Sequence, residues 1–169
     1  MSARIPVFVS APTALSDDQQ ASYNFLIGLL AGEEFEHRAL GRTDYGIDSP
    51  LKEVYSIARH CSGGVILGFE QMLAETVRVK PGTSVAETVK NVSFPTPWNN
   101  LEAGILFGLR LPLLVFREDG VRGGVFDEGV ADVFVQRLPV GAPDPEVARQ
   151  IGIVVKLWAA NVRQNYRLY

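Results

Sequence analysis

The sequence predicts a three-layer α/β sandwich of the flavodoxin-like kind, with a mostly parallel five-stranded sheet in the order 2-1-3-4-5. Three observations carry this. Helix-like and strand-like stretches alternate, the pattern of βαβ units. The strand candidates IPVFVS, VILGF and LLVF are near-continuous apolar runs, as parallel strands covered on both faces require. The helix candidates carry apolar positions at helical spacing behind recognisable caps.

The elements follow in order. Ile5 to Ser10 reads as a buried first strand. Ser16 caps a helix whose first turn holds Asp17 and Asp18, where the positive dipole end favours anions. Its apolar face is Tyr23, Leu26, Ile27 and Leu30, and Gly32 ends it. Phe35 to Leu40 is a weaker, edge-like strand. GRTDYGIDSP is a loop by composition, and Ser49 with Pro50 starts a helix from Leu51 to His60. Val65 to Phe69 is the central strand, Leu113 to Phe116 the next and Phe134 to Leu138 the fifth. Asp144-Pro145 opens a long C-terminal helix with the stripe Val147, Ile151, Val154, Val155 and Trp158. The whole chain, 1–169, is expected to be one domain with an insert at 70–95. That insert is too long for an ordinary strand-to-helix connection. It is expected to hang over the carboxyl end of the sheet, with a short helix from Ser84 to Lys90 after the turn at Lys80-Pro-Gly-Thr. A flap, a partner surface and a disordered insert are all compatible with it.

Composition narrows the function. A net charge of -3 offers no basic field for a phosphate backbone, so no nucleic-acid partner is expected. Cys61 is the only cysteine, and His37 and His60 sit in no metal-binding motif, so neither a disulfide framework nor a metal site is expected. No apolar run reaches the ~18 residues of a bilayer span. The chain opens on a strand without the apolar core of a secretion signal. No membrane partner and a cytoplasmic setting are therefore expected.

Glu102 is the exception in an otherwise apolar helix. Thr96 and Pro97 start that helix, and Glu102 falls in its second turn beside Trp98, Asn99, Ile105 and Leu106. None of these is basic, so no local ion pair is available. Gly104 and Gly108 each cost about 1 kcal/mol in a helix interior, which asks for a packing or functional reason. The helix follows the central strand, so the carboxylate should lie at the carboxyl edge of the sheet near Ser10, Ala11 and Pro12. Ligands bind at that edge in open α/β sheets. Two readings fit: a solvated carboxylate helped by the helix dipole, or a carboxylate in a partly apolar cleft, where it can work in acid–base or electrostatic catalysis. The apolar, unpaired flanks favour the second.

Here the chain resembles Toll/interleukin-1 receptor (TIR) domains and the related nucleoside 2-deoxyribosyltransferase-like proteins. PVFVSAP looks like their first strand and loop, Trp98 and Glu102 have the W-x-x-x-E spacing of TIR domains, and LEAGILFGLRLPLLVF looks like the deoxyribosyltransferase stretch. Asn99 stands where TIR domains carry a cysteine. The resemblance implies that Glu102 is catalytic and that the substrate is a nucleoside or nucleotide, NAD or a deoxynucleoside, cleaved or transferred at its N-glycosidic bond. It implies no resident cofactor, with NAD entering only as a substrate, and a homo-oligomer, because TIR-type sites are often completed by self-association. A carboxylate suits this chemistry, since the transition state places positive charge on the sugar. A neutral base also needs an acid, for which Asp44 and Asp48 are candidates.

The remaining substrate-binding candidates are Ser10, Pro12, Asp44, Tyr45, Phe69, Trp98, Asn99 and Asn100. Asp44 and Tyr45 follow the second strand, though Asp-Tyr-Gly is equally an ordinary turn. Trp98 can stack on a base or pack under the insert. Asn99 and Asn100 can bond ribose or base edges, or be first-turn polar residues. Phe69, with Glu70, ends the central strand. GVRGGVFDEGV lacks a phosphate-binding motif and reads as a turn and short helix. The alternative function is a non-catalytic nucleotide-binding or signalling module.

Overall fold

The computed structural model of the chain describes residues 4–41, 49–130, 133–139 and 141–167. Strand β1 (Ile5–Ser10) is followed by α1 (Asp17–Gly32), β2 (Phe35–Arg38), α2 (Pro50–Ala58) and β3 (Gly64–Gly68). Then come β4 (Met72–Val79), β5 (Glu87–Phe94), α3 (Pro97–Gly108), β6 (Leu113–Arg117), a 3-10 turn at Gly124–Phe126, β7 (Val135–Arg137) and α4 (Pro145–Arg167). The main sheet has the order β2-β1-β3-β6-β7 with every pair parallel. With the β4–β5 pair set aside, this is the flavodoxin-like order 2-1-3-4-5.

Apolar side chains of one strand go to both faces, which is why the strands read as unbroken apolar runs. Val7, Val9, Leu67 and Phe116 meet Leu26 and Leu30 of α1 and Val155 and Trp158 of α4 on one face. Phe8, Ile66 and Val115 meet Val54 of α2, Ala103 and Leu106 of α3 and Phe126 on the other. Among the described residues no helix is long and apolar enough to cross a membrane.

The caps work as their sequences imply. Ser16 and Gln19 form a reciprocal capping box at α1. At the end of α3 the amide of Arg110 donates to the Phe107 carbonyl and that of Leu111 to Leu106, with Arg110 at φ 57. This is the helix-ending motif that normally recruits glycine, and it delivers Leu111 and Pro112 straight into β6.

The insert departs from expectation. Ser84 to Lys90 contributes no helix. Residues 72–94 form an antiparallel hairpin with the register Met72↔Phe94 to Val79↔Glu87. Its turn uses Lys80 at φ 47 and Gly82 at φ 78. The reason lies in β-branched side chains: Val77 opposes Val89, Thr76 opposes Lys90 and Arg78 opposes Thr88. Such residues lose rotamer freedom in a helix and fit a pleated pair. The base of the hairpin is held by an isolated bridge from Ser93 to Val121 and by the Gln71 amide on the Phe94 carbonyl. Elsewhere the differences are at edges: β2 stops at Arg38, β7 is three residues, and Phe134, expected inside a strand, is 89% exposed.

One close approach pins the site-bearing strand. The Phe126 ring lies directly on the backbone of Gly68, where a Cβ would collide with it. Gly68→Ala is expected to destabilise the protein by about 1–3 kcal/mol through this overpacking. Urea unfolding would read it, and an unchanged midpoint would show that the ring has room to retreat.

Candidate functional site

The carboxyl ends of β1 and β3 and the start of α3 enclose the candidate site. Thr96 caps α3 through its side chain to the Trp98 amide, and Pro97 occupies the first turn. One turn on, Glu102 is half-buried and lines a cleft of about 410 Å3 together with Pro12, Thr13, Leu40, Pro50, Gln71 and Trp98.

A relay of hydrogen bonds fixes the carboxylate. The Asn99 side-chain amide donates to Ser10 Oγ at 2.8 Å and lies 3.4 Å from the carbonyls of Ser10 and Leu67. With its lone pairs engaged by Asn99, the Ser10 hydroxyl bonds the Glu102 carboxylate. Ser10 and Asn99 are 0% and 1% exposed, so this relay is dry. The Asn99 Oδ1 is buried and accepts no hydrogen bond from a described residue. A buried acceptor left without a donor costs about 1–3 kcal/mol, so the amide is held in this orientation by what its nitrogen gains. Burial pushes the Glu102 carboxyl from the ordinary 4.5 up to about 7, while the Ser10 hydroxyl pulls it down. Both protonation states are therefore populated near neutrality.

A second network closes the floor between strands. Gln19 Nε2 donates to the Glu70 carbonyl and to Glu118, each at 3.0 Å, and Glu118 also accepts the Glu70 amide. Ser93 donates to the Glu70 carboxylate. Gln71 reaches back to the Ala14 carbonyl. The hairpin base, the start of α1 and the end of β6 are thereby joined beside the cleft.

Of the residues proposed from sequence, the structure brings Pro12, Trp98 and Glu102 to the cleft wall and puts Ser10 and Asn99 directly behind the carboxylate. Two are placed elsewhere. Phe69 is 0% exposed in the core beneath α1 and α4, because it follows a strand whose two faces are both covered. Asn100 points to the far side of α3, where its Oδ1 accepts the Val125 amide at 2.9 Å. Asp44, Tyr45 and Asp48 lie outside the described residues. The sequence reading missed Thr13, Leu40 and Gln71 as cleft residues. The positional rule could have found them, since each follows the carboxyl end of β1, β2 or β3. Among the described residues no group of three or more His, Cys, Asp or Glu side chains is arranged to hold a metal ion.

The raised carboxyl has a consequence for stability. The folded state keeps its proton up to about pH 7, whereas the unfolded chain releases it near 4.5. The stability that this provides is full below the lower value and is lost as pH rises through the upper one. The unfolding free energy of the wild type, taken relative to Glu102→Gln, is expected to fall between about pH 4.5 and about pH 7 and then level off. Urea titrations across that window would test it, and a flat difference would mean the carboxyl is not raised.

No family model matches the chain, and no curated protein matches it by sequence. In three dimensions it is similar to the solved structure of the Clostridium botulinum CMP N-glycosidase BcmB. The match covers 88% of this chain and 98% of that one, with a TM-score of 0.53 and 12% identity. At that identity the likeness establishes a shared fold.

Proposed function

We propose that this chain cleaves or transfers the base of a nucleoside or nucleotide at its N-glycosidic bond, with Glu102 as the catalytic carboxylate. The observation that carries the reading is the half-buried Glu102, bonded by a dry Ser10–Asn99 pair and opening on a cleft at the carboxyl edge of the sheet. The fold shared with a CMP N-glycosidase supports it. So does the resemblance to TIR-like and deoxyribosyltransferase-like proteins through Trp98 and Glu102.

The bond between the sugar C1′ and the base nitrogen breaks with its electron pair going to the base. Positive charge grows on C1′ and the ring oxygen. An ionised carboxylate beneath the sugar stabilises that charge or attacks C1′. In hydrolysis, water supplies the new oxygen at C1′ and releases a proton, which goes to solvent when nicotinamide leaves and balances the proton taken up by the base when a neutral base leaves. A nicotinamide leaving group is already cationic and needs no acid. A cytosine or purine does need one, and Asp44 or Asp48, which follow β2 in the sequence, is the proposed source. The Trp98 ring, 41% exposed on the cleft wall, is suited to stacking on the base. Ser10 and Asn99 act as positioning residues through Glu102.

Chromatographic detection of free base tests the reading, with NAD, nucleosides and nucleoside monophosphates such as CMP as substrates. Glu102→Gln is expected to bind substrate but lose turnover by at least ~100-fold. Undiminished turnover in that variant would remove Glu102 from the mechanism. No base release from any substrate, with nucleotide still bound, would leave a nucleotide-binding module.

The working form is the ionised one, so the rate is expected to rise with pH through about 7 as a single proton leaves Glu102. Ser10→Ala removes the bond that favours ionisation, so its pH–rate midpoint should move upward. A midpoint that stays put would show that Ser10 does not tune the carboxylate.

A further inference from the structure

Gln71 stands where the chain leaves the carboxyl end of β3, and it lines the same cleft as Trp98 and Glu102. Its backbone is fixed, since its amide donates to the Phe94 carbonyl at 2.9 Å across the base of the hairpin. Its side chain is held as well. Nε2 donates to the Glu70 carbonyl at 3.0 Å and to the Ala14 carbonyl at 3.3 Å. The Glu70 carbonyl also accepts Gln19 Nε2, so this anchor is itself tied in place.

A side-chain amide has two donor protons on nitrogen and only acceptor lone pairs on oxygen, and a backbone carbonyl only accepts. The two ends of the Gln71 amide are therefore not interchangeable. Turning it over would set Oε1 against two carbonyl oxygens and lose both bonds. With both Nε2 protons engaged, what this side chain keeps for a ligand is Oε1, an acceptor alone. Oε1 takes no hydrogen bond from a described residue.

We infer that Gln71 reads the base, and that it selects one carrying an exocyclic NH2 group, as cytosine and adenine do, over the keto counterpart, uracil or hypoxanthine. The inference rests on the reading of the cleft as a nucleoside site. An NH2 group gives Oε1 a proton. A keto oxygen in the same place meets it lone pair against lone pair, and neither can donate. The other lining groups leave this task to Gln71. Glu102 is assigned to the sugar. The Trp98 ring offers a stacking face, which accepts every base. Thr13 and Thr96 carry hydroxyls, which rotate to donate or accept. Gln71 is the one neutral side chain, among the described lining residues, that presents an acceptor alone.

The test compares cytidine with uridine and adenosine with inosine, each as the nucleoside and as its 5′-monophosphate. Base release from the intact chain and calorimetric binding to Glu102→Gln are both measured. In whichever pair the cleft accepts, the amino base is expected to be preferred at least ~10-fold, in kcat/KM and in Kd alike. Gln71→Met keeps the length of the side chain without the amide, and should bring both ratios to within about twofold of one. A merely structural Gln71 would change stability or overall rate and leave the ratios alone. Equal use of the two bases by the wild type would overturn the inference. A keto preference would do the same, because it would mean that Nε2 faces the base. Ratios that persist in Gln71→Met would place the discrimination on another residue and overturn it too. Selective binding that Gln71→Met abolishes, without base release from any compound, would uphold the inference and remove the catalytic reading. Neither binding nor release would overturn both.

Discussion

The hydrogen bonds from Asn99 to Ser10 and from Ser10 to Glu102 are the constraint on which the site depends. They tie the start of α3 to the end of β1, across a third segment, β3, through the Leu67 carbonyl. Each partner is polar, and two of the three are fully buried, so the bonds form in a low dielectric where they are strong and costly to break. The arrangement sets both position and protonation of the carboxylate. Apolar surroundings hold the proton on Glu102, and the Ser10 hydroxyl holds it back from rising further. The Glu70–Glu118–Gln19 network performs a comparable task for the hairpin.

The layered fold was legible because burial on both faces leaves a plain mark in the strands. IPVFVS, VILGF and LLVF needed no context to be placed. Glu102 was legible for a related reason: a single acid in an apolar helix is conspicuous. The roles of its neighbours were not. Asn99 and Asn100 are adjacent and chemically identical, yet 100° of helical rotation sends one behind the carboxylate and the other to Val125. Phe69 was misjudged because an aromatic at a strand end fits a ligand wall and a core equally well. The hairpin was missed because Ala86 and Glu87 favour helix locally, and only the partner strand makes Thr88 and Val89 a β pair.

The two unusual surfaces of this chain differ in kind. The β4–β5 hairpin projects from the sheet with Leu73 and Val85 about two-thirds exposed, but its edges also carry Glu75, Arg78, Glu87 and Lys90. Charged edge strands resist unwanted pairing. The outer face of α3 has no such protection. Asn99 and Glu102 are committed to the candidate site and Asn100 to the Val125 amide, and that commitment empties the solvent side of polar groups. Site chemistry and surface chemistry are thus coupled through one short helix of 12 residues.

The Ser10–Asn99 bond spans 89 residues of sequence. Contacts so distant form only after the intervening chain has closed its loops, and such loop closure slows folding. The relay needs β1 and β3 already paired and α3 already packed over them. A nascent chain that has made β1, β2 and β3 owns the sheet edge but no carboxylate to put there. The carboxylate becomes organised only when α3 packs over that edge, so its geometry is a property of three segments brought together, not a local property of the one that carries it.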